Sequence, residues 1–248
     1  MLLDFKPKRI KPPFGAQINW GHPLAQGLAA TWVLNEQGGL QAHDLVGRWP
    51  GILAGAPPKW LSTSRGIGVE MNGTSGSDRI DTGDIPFDNA NWTIVMALIF
   101  RTVSGYHRLA GWDQGAAAGG PTLWSNEGTS WGIVHAGTVD FSTTASPWSG
   151  GERASAAISR AGSTARIYKN GKVVAETGTF SANYTLTGNT FRIGSGYGNA
   201  ENAACHVEWC FVYGTRGLTP PDIGWLDAEP YAFLLPASPL ARYIFFGK

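Results

Sequence analysis

The sequence predicts an all-β protein: a two-sheet antiparallel jelly-roll sandwich, with one short C-terminal helix and extended N- and C-terminal arms. Three observations carry this. About a dozen short runs of β-branched and aromatic residues recur at roughly 10–20-residue spacing, with turn signals between them. The 248 residues include 34 Gly and 11 Trp, a supply of turns and of large aromatic payload that suits a sandwich better than a helical fold. A helix signal stands out in one place, near residue 220.

Each element has its own reason. Leu28–Leu34 is the first strand, and Asn35–Gly39 a turn. His43–Gly47 opens an irregular stretch that the Gly/Pro-rich Gly51–Trp60 closes. Gly66–Met71 and Arg79–Asp81 read as strands around an Asn72-Gly73 hairpin turn. Trp92–Arg101 is apolar on both faces, which predicts a central strand covered on both sides. His107–Trp112 and Trp131–His135 are shorter strands, with a Gly/Ala loop over Asp113–Pro121. Ala154–Arg160, Thr164–Lys169 and Val173–Glu176 follow, the last two joined by Asn170-Gly171 as a two-residue hairpin. Thr190–Gly194 comes next.

His206–Tyr213 alternates. This predicts Val207, Trp209, Phe211 and Tyr213 on one face, with His206, Glu208 and Cys210 on the other. Thr219 then caps a helix, with Pro220 in its first turn and Asp222 three residues after the cap. Ile223 and Leu226 share its buried face, and Pro230 ends it.

Composition bounds the function. Apolar residues make up 43%, ample for a core, and charged residues only 15%, against about 25% in an average globular protein. A formal charge of +1 implies no general attraction to nucleic acid or to acidic membranes. No run approaches the ~18 apolar residues of a membrane span. Met1-Leu2-Leu3-Asp4 leads into Lys and Pro rather than an apolar run, so no secretory leader is expected. The three Asn-x-Thr triplets, at Asn72, Asn91 and Asn183, are then chance matches. Cys205 and Cys210 have odd spacing in one strand, which predicts opposite faces, free thiols and synthesis in a reducing compartment.

Residues 28–229 form the expected domain. Residues 1–27 are a basic, Pro-rich arm carrying Lys6, Lys8, Arg9 and Lys11, which either lies on another surface or folds back over its own domain. Residues 230–248 are an apolar tail ending in Tyr243, Ile244, Phe245 and Phe246, a cluster that must be buried on this domain or on a neighbour.

Four pieces resemble a known family. Asn19-Trp20-Gly21-His22-Pro23-Leu24-Ala25, with Gly27-Leu28 and Trp32, is similar to an opening "NWGHPLA–GL–W". Asn35–Gly39 with Asp44-Leu45 and Gly47 resembles an "NEG-G … DLSG" turn. Met71–Thr74 resembles an "F-D/N-G" hairpin. Val207–Tyr213, Arg216–Thr219 and Asp222-Ile223 through Tyr231 resemble the ending "D-E-V-x-I-Y-x-R-A-L-S-x-x-E-I … P-Y". Together they span residues 15–235 and resemble the LamG-like members of the concanavalin A-like lectin/glucanase superfamily, in the version common in bacteriophage and marine viral proteins. Trp209 and Cys210 replace a more usual charged and β-branched pair, so no acid-dependent ligand role is carried over to that strand. The resemblance implies a jelly roll and, often in this group, a non-catalytic glycan-binding or adhesive role on a virion.

The chemistry-bearing residues agree with a non-enzymatic protein. Retaining glucanases need two carboxylates about 5–5.5 Å apart, which related enzymes write as E-x-D-x-x-E. The nearest approaches are Asp78 with Asp81 and Asp84, and Glu201 with Glu208. No G-x-S-x-G, P-loop or H-E-x-x-H pattern occurs.

For a glycan, an aromatic ring stacks on the sugar while Asp and Asn meet its hydroxyls. Trp112, Asp113, Trp124, Asn126 and Trp131 supply both, whereas Trp32, Trp92 and Trp209 belong to the core. No cofactor is expected. Calcium, bound in relatives, would draw on Asp78, Asp81 and Asp84, which lack a recognisable ligand spacing.

The expected protein is a capsid decoration, head-fibre or tail-fibre component of a bacteriophage virion, assembled in the host cytoplasm. Lys6, Lys8, Arg9, Lys11 and Tyr243–Phe246 would make its assembly contacts. Its partners would be capsid or tail proteins, copies of itself and a host-surface or environmental glycan. The alternative is a soluble carbohydrate-binding module or glycan-active enzyme of the same superfamily.

Overall fold

A computed structural model describes residues 11–55, 59–73, 78–101, 106–113, 119–126, 130–135, 138–184, 190–196 and 202–236. In chain order the strands are β1 (Gln17–Ile18), β2 (Leu28–Trp32), β3 (Gln41–Ala42), β4 (Gly51–Ala54), β5 (Lys59–Thr63) and β6 (Gly66–Asn72). Then come β7 (Arg79–Asp81), β8 (Asn91–Phe100), β9 (Tyr106–Asp113), β10 (Gly119–Asn126), β11 (Ser130–His135) and β12 (Thr138–Ser142). The last are β13 (Arg153–Ala161), β14 (Thr164–Lys169), β15 (Lys172–Thr177), β16 (Arg192–Ile193), β17 (Ala204–Tyr213) and, after helix α1 (Pro220–Ala228), β18 (Leu234–Leu235).

Two large antiparallel sheets face each other, as a jelly-roll sandwich requires. One runs β15-β14-β13-β8-β17-β6-β5, with β2 also paired to β17; the other runs β12-β11-β10-β9-β16-β7-β4-β3. Their facing sides bury Trp32, Trp92, Trp112, Trp131, Phe100 and Phe191. The first sheet is covered on its other side as well. There Trp209, Phe211 and Tyr213 pack with Ile18, Leu24, Ile223, Leu226 and Phe233, from the N-terminal segment, the helix and the exit strand. We call this the covered sheet and its partner the open sheet.

Several expectations hold in detail. β8 is central, buried almost throughout, and pairs with both β13 and β17. Asn170 (φ 50°) and Gly171 (φ 75°) make the tight turn between β14 and β15. Thr219 and Asp222 form the reciprocal capping box of α1.

Others are corrected. β6 and β7 are no hairpin, because they lie in different sheets and the chain crosses the sandwich between them. Gly51–Trp60 is not simply irregular: it contains β4 and the start of β5. The predicted loop over Asp113–Pro121 gives way to strand at Gly119. There a register shift between Gly119 and Thr122 makes room for Pro121, which cannot donate to a ladder.

In β17 a bulge between Val207 and Trp209 reverses the alternation. Val207 therefore faces the inter-sheet core, while Trp209, Phe211 and Tyr213 face the helix. The same bulge turns Cys205 and Cys210 to one face, both buried in the inter-sheet core and both free. Burial pushes the Cys205 thiol up to about 12 and the Cys210 thiol upward too, so both are unreactive.

Glu208, at the bulge, is no lone acid. It is buried and bound by Arg153 through Nε at 2.8 Å and Nη2 at 2.5 Å. Lys11 reaches the same place, donating from Nζ to Leu34 O at 2.9 Å and to the carbonyls of Ile67 and Glu208. The described part of the arm thus folds back over its own domain, which corrects Lys11 as an assembly contact. Lys6, Lys8, Arg9, Tyr243, Ile244, Phe245 and Phe246 lie outside the described residues.

Candidate functional site

The tryptophans picked from sequence are not presented to solvent. Trp112 is fully buried, donates from its indole to Ile85 O at 2.7 Å and stacks on Phe87 at 4.7 Å. Trp131 stacks on Trp148 at 4.4 Å inside the core. Trp124 points outward from the open sheet but is only 5% exposed, with Tyr106 stacked on it at 5.8 Å. Gly132 beside it leaves room for its ring, since a Cβ there would lie 3.3 Å from Trp124 Cε3. Asn126 is half-buried opposite Tyr106, and Asp113 ends β9 with its side chain outside the described set. Trp112, Trp124 and Trp131 do not form an exposed aromatic platform. Burial removes the three rings from any sugar, because both faces of a half-core strand are already packed.

The structure instead builds a cleft of about 260 Å³. Trp20 and Trp49 line it, Leu28 and Val46 are also part of its lining, and Arg48 and Pro86 are its exposed polar and apolar members. Trp20 is 53% exposed.

Both aromatic residues sit on braced backbone. Before Trp20, Asn19 N donates to Phe233 O at 2.8 Å; Gln26 Nε2 donates to Trp20 O at 2.8 Å. On the other side, the Asp44 carboxylate gathers four backbone N–H groups, from Thr31, Val46, Arg48 and Trp49, at 2.8–3.1 Å. Trp49 O accepts from the Trp32 indole at 3.0 Å. Gly83 admits the Trp49 ring, for a Cβ there would lie 2.3 Å from Cε3. The cleft is therefore set before any ligand arrives, so little ordering entropy remains to oppose binding.

Two polar constellations lie elsewhere. On the open sheet Asp81 is held by Arg79 and Arg192, each at 2.9 Å, beside the exposed Ile52. At the β11–β12 end, His135 Nδ1 meets Asp140 Oδ2 at 2.7 Å and the Tyr184 hydroxyl donates to the same oxygen at 3.1 Å. Burial pushes both the Asp140 carboxyl and the Tyr184 hydroxyl upward, and the nearby Asp140 charge raises the hydroxyl as well. Asn89 also pins the Tyr184 backbone through two hydrogen bonds, at 2.7 and 2.9 Å. Among the described residues, no group of three or more His, Cys, Asp or Glu side chains is gathered as metal ligands would be. Asp78 is buried and accepts from Asn72 N at 2.8 Å, apart from any such group.

No protein-family model matches the chain, and no curated protein matches it. Solved structures do. A sialidase of Trypanosoma rangeli aligns over 93% of this chain and 37% of its own, at 18% identity and TM-score 0.59. The binding domain of Paraclostridial Mosquitocidal Protein 1 aligns over 82% of this chain and 52% of its own, at 13% identity and TM-score 0.62. Domain 4 of AbnA, a GH43 extracellular arabinanase from Geobacillus stearothermophilus solved with arabinotriose, aligns over 86% of this chain and 99% of its own, at 14% identity and TM-score 0.56. The chain spans about a third of the sialidases it matches. At these identities the likeness is one of fold alone: a β-sandwich that occurs within enzymes and in a binding domain.

Trp20, Arg48 and Trp49 lie in turn and loop segments that carry no strand pattern in the sequence. One signal was present. Trp20 lies between Asn19 and Gly21 with no alternation around it, so no strand demanded its burial.

Proposed function

We propose that the protein is a non-catalytic carbohydrate-binding sandwich whose binding site is the Trp20–Trp49 cleft. One observation carries this: an exposed Trp20 and a half-buried Trp49, both on hydrogen-bonded loops, line one cleft, whereas Trp112, Trp124 and Trp131 are buried. A sugar ring needs such a surface for its apolar face and polar groups at its rim. The fold likeness to a domain solved with arabinotriose is consistent with it. The non-enzymatic reading is supported by how the buried carboxylates are used. Asp44 braces a loop, Glu208 holds Arg153, and Asp140 is shared by His135 and Tyr184.

A glycan array with the wild type and Trp20→Ala tests this. Signal on the wild type that disappears in the variant is expected. Signal retained in Trp20→Ala would move the site elsewhere, and a blank array would remove the carbohydrate reading.

Display on a virus particle is a second reading, which we propose from the sequence resemblance alone. The antiparallel pairing of β1 with β18 sets Gln17 beside Leu235. Removing residues 1–10 should then abolish co-purification with particles while the sandwich stays folded. Unchanged incorporation would sink the arm as an anchor.

A further inference from the structure

We infer that the Trp20–Trp49 cleft takes a saccharide bearing a carboxylate, with Arg48 as the group that selects it. This rests on the carbohydrate reading above and narrows it to one chemical class. Among the described residues Arg48 is the only charged one lining the cleft, and it is exposed.

It also differs from six other arginines among the described residues. Arg79, Arg101, Arg153, Arg166, Arg192 and Arg216 each hold a carboxylate of this chain. Arg48 holds none among the described residues, and its side chain makes no hydrogen bond or ring contact there. Its backbone is nonetheless fixed. Arg48 N and Trp49 N both donate to Asp44 Oδ2, at 3.1 and 3.0 Å. A guanidinium on a braced loop, beside two indoles and without a partner among the described residues, has its forked donors available for a planar carboxylate.

The neighbouring acid does not satisfy it. Both Asp44 oxygens are occupied by backbone N–H groups, and Asp44 is buried beneath the loop. The volume of about 260 Å³ lies just below the roughly 300–1,000 Å³ of drug-sized ligand sites. It suits a single ring seated against Trp20 and Trp49, with its carboxylate turned out to Arg48.

Calorimetric titration with digalacturonic acid and with its carboxyl-reduced counterpart tests this, using wild type, Arg48→Gln, Arg48→Lys and Trp20→Ala. The wild type should bind the acid at least about tenfold more tightly than the reduced sugar, the size of one charged hydrogen-bonding contact. Arg48→Gln should erase that preference, and Arg48→Lys should keep part of it, as a point charge without the fork. Acid binding should weaken with added salt while reduced-sugar binding does not. Trp20→Ala should weaken both sugars alike.

Equal affinity for the two sugars in the wild type, or a preference that survives Arg48→Gln, overturns the inference and leaves the carbohydrate reading standing. Binding of neither disaccharide overturns the inference, and a blank glycan array beside it removes the broader reading as well.

Discussion

Trp112 and Trp20 look alike in sequence, each beside glycine and polar residues, yet the fold uses them in opposite ways. Trp112 ends a strand with neighbours on both sides, so its ring turns into the space between the sheets and its indole finds Ile85 O. Trp20 follows the two-residue strand β1, which among the described residues is paired only with β18, and it remains 53% exposed. The difference is one of position in the ladder. A central strand spends its aromatics on the core, whereas a braced turn at the margin keeps them outside.

The comparison breaks most visibly under truncation. Trp131→Ala empties the stack on Trp148 and should cost about 3–5 kcal/mol in denaturant unfolding. Trp20→Ala should lie within about 0.5 kcal/mol of wild type, with binding alone affected. A large stability loss for Trp20→Ala would show that it is a core residue.

Gly83→Ala sharpens the contrast. The added methyl collides with the Trp49 ring, so about 1–3 kcal/mol of stability should go. Glycan binding should fall with it, although residue 83 lines nothing in the cleft. Binding unchanged in Gly83→Ala would mean that the Trp49 ring position does not matter.

The smallest effect concerns the arm. Burial pulls Lys11 down to about 7, against the Glu208 and Glu36 carboxylates that raise it and beside Arg153, which lowers it further. Between pH 7 and about 10.5 the unfolded chain holds a proton that the folded chain has released. Stability should therefore rise with pH across that window. Melting temperatures from pH 6 to 9 should climb more steeply for wild type than for Lys11→Met. Parallel slopes would mean that Lys11 keeps an ordinary pKa.

Much of the fold was legible. The apolar run of β8, the Asn170-Gly171 turn and the Thr219/Asp222 cap are local signals, and the structure follows them. What sequence could not show depended on long-range placement. The β17 bulge inverted the faces of Val207 and Cys205 because it answers the register of β8, not any motif in β17. β6 and β7 look like a hairpin locally and part because each finds a better partner in its own sheet. The glycan residues were misassigned for the same reason. Aromatic beside glycine suggests an exposed loop, but Gly119 and Gly132 lie in paired strands, and Gly132 there admits the Trp124 ring. Asp44 read as a turn residue and proved to be one, yet its four hydrogen bonds also shape the cleft.

The most direct test follows the indole N–H signals of the 11 tryptophans in a nitrogen-15-labelled sample. The titrant is a mixture of neutral and uronate-containing oligosaccharides. Assignments come from single Trp→Phe variants. Movement of Trp20 and Trp49, with Trp112, Trp124 and Trp131 still, is the predicted result. Shifts at Trp124 or Trp112 with Trp20 and Trp49 unmoved would contradict the account and return the site to the open sheet.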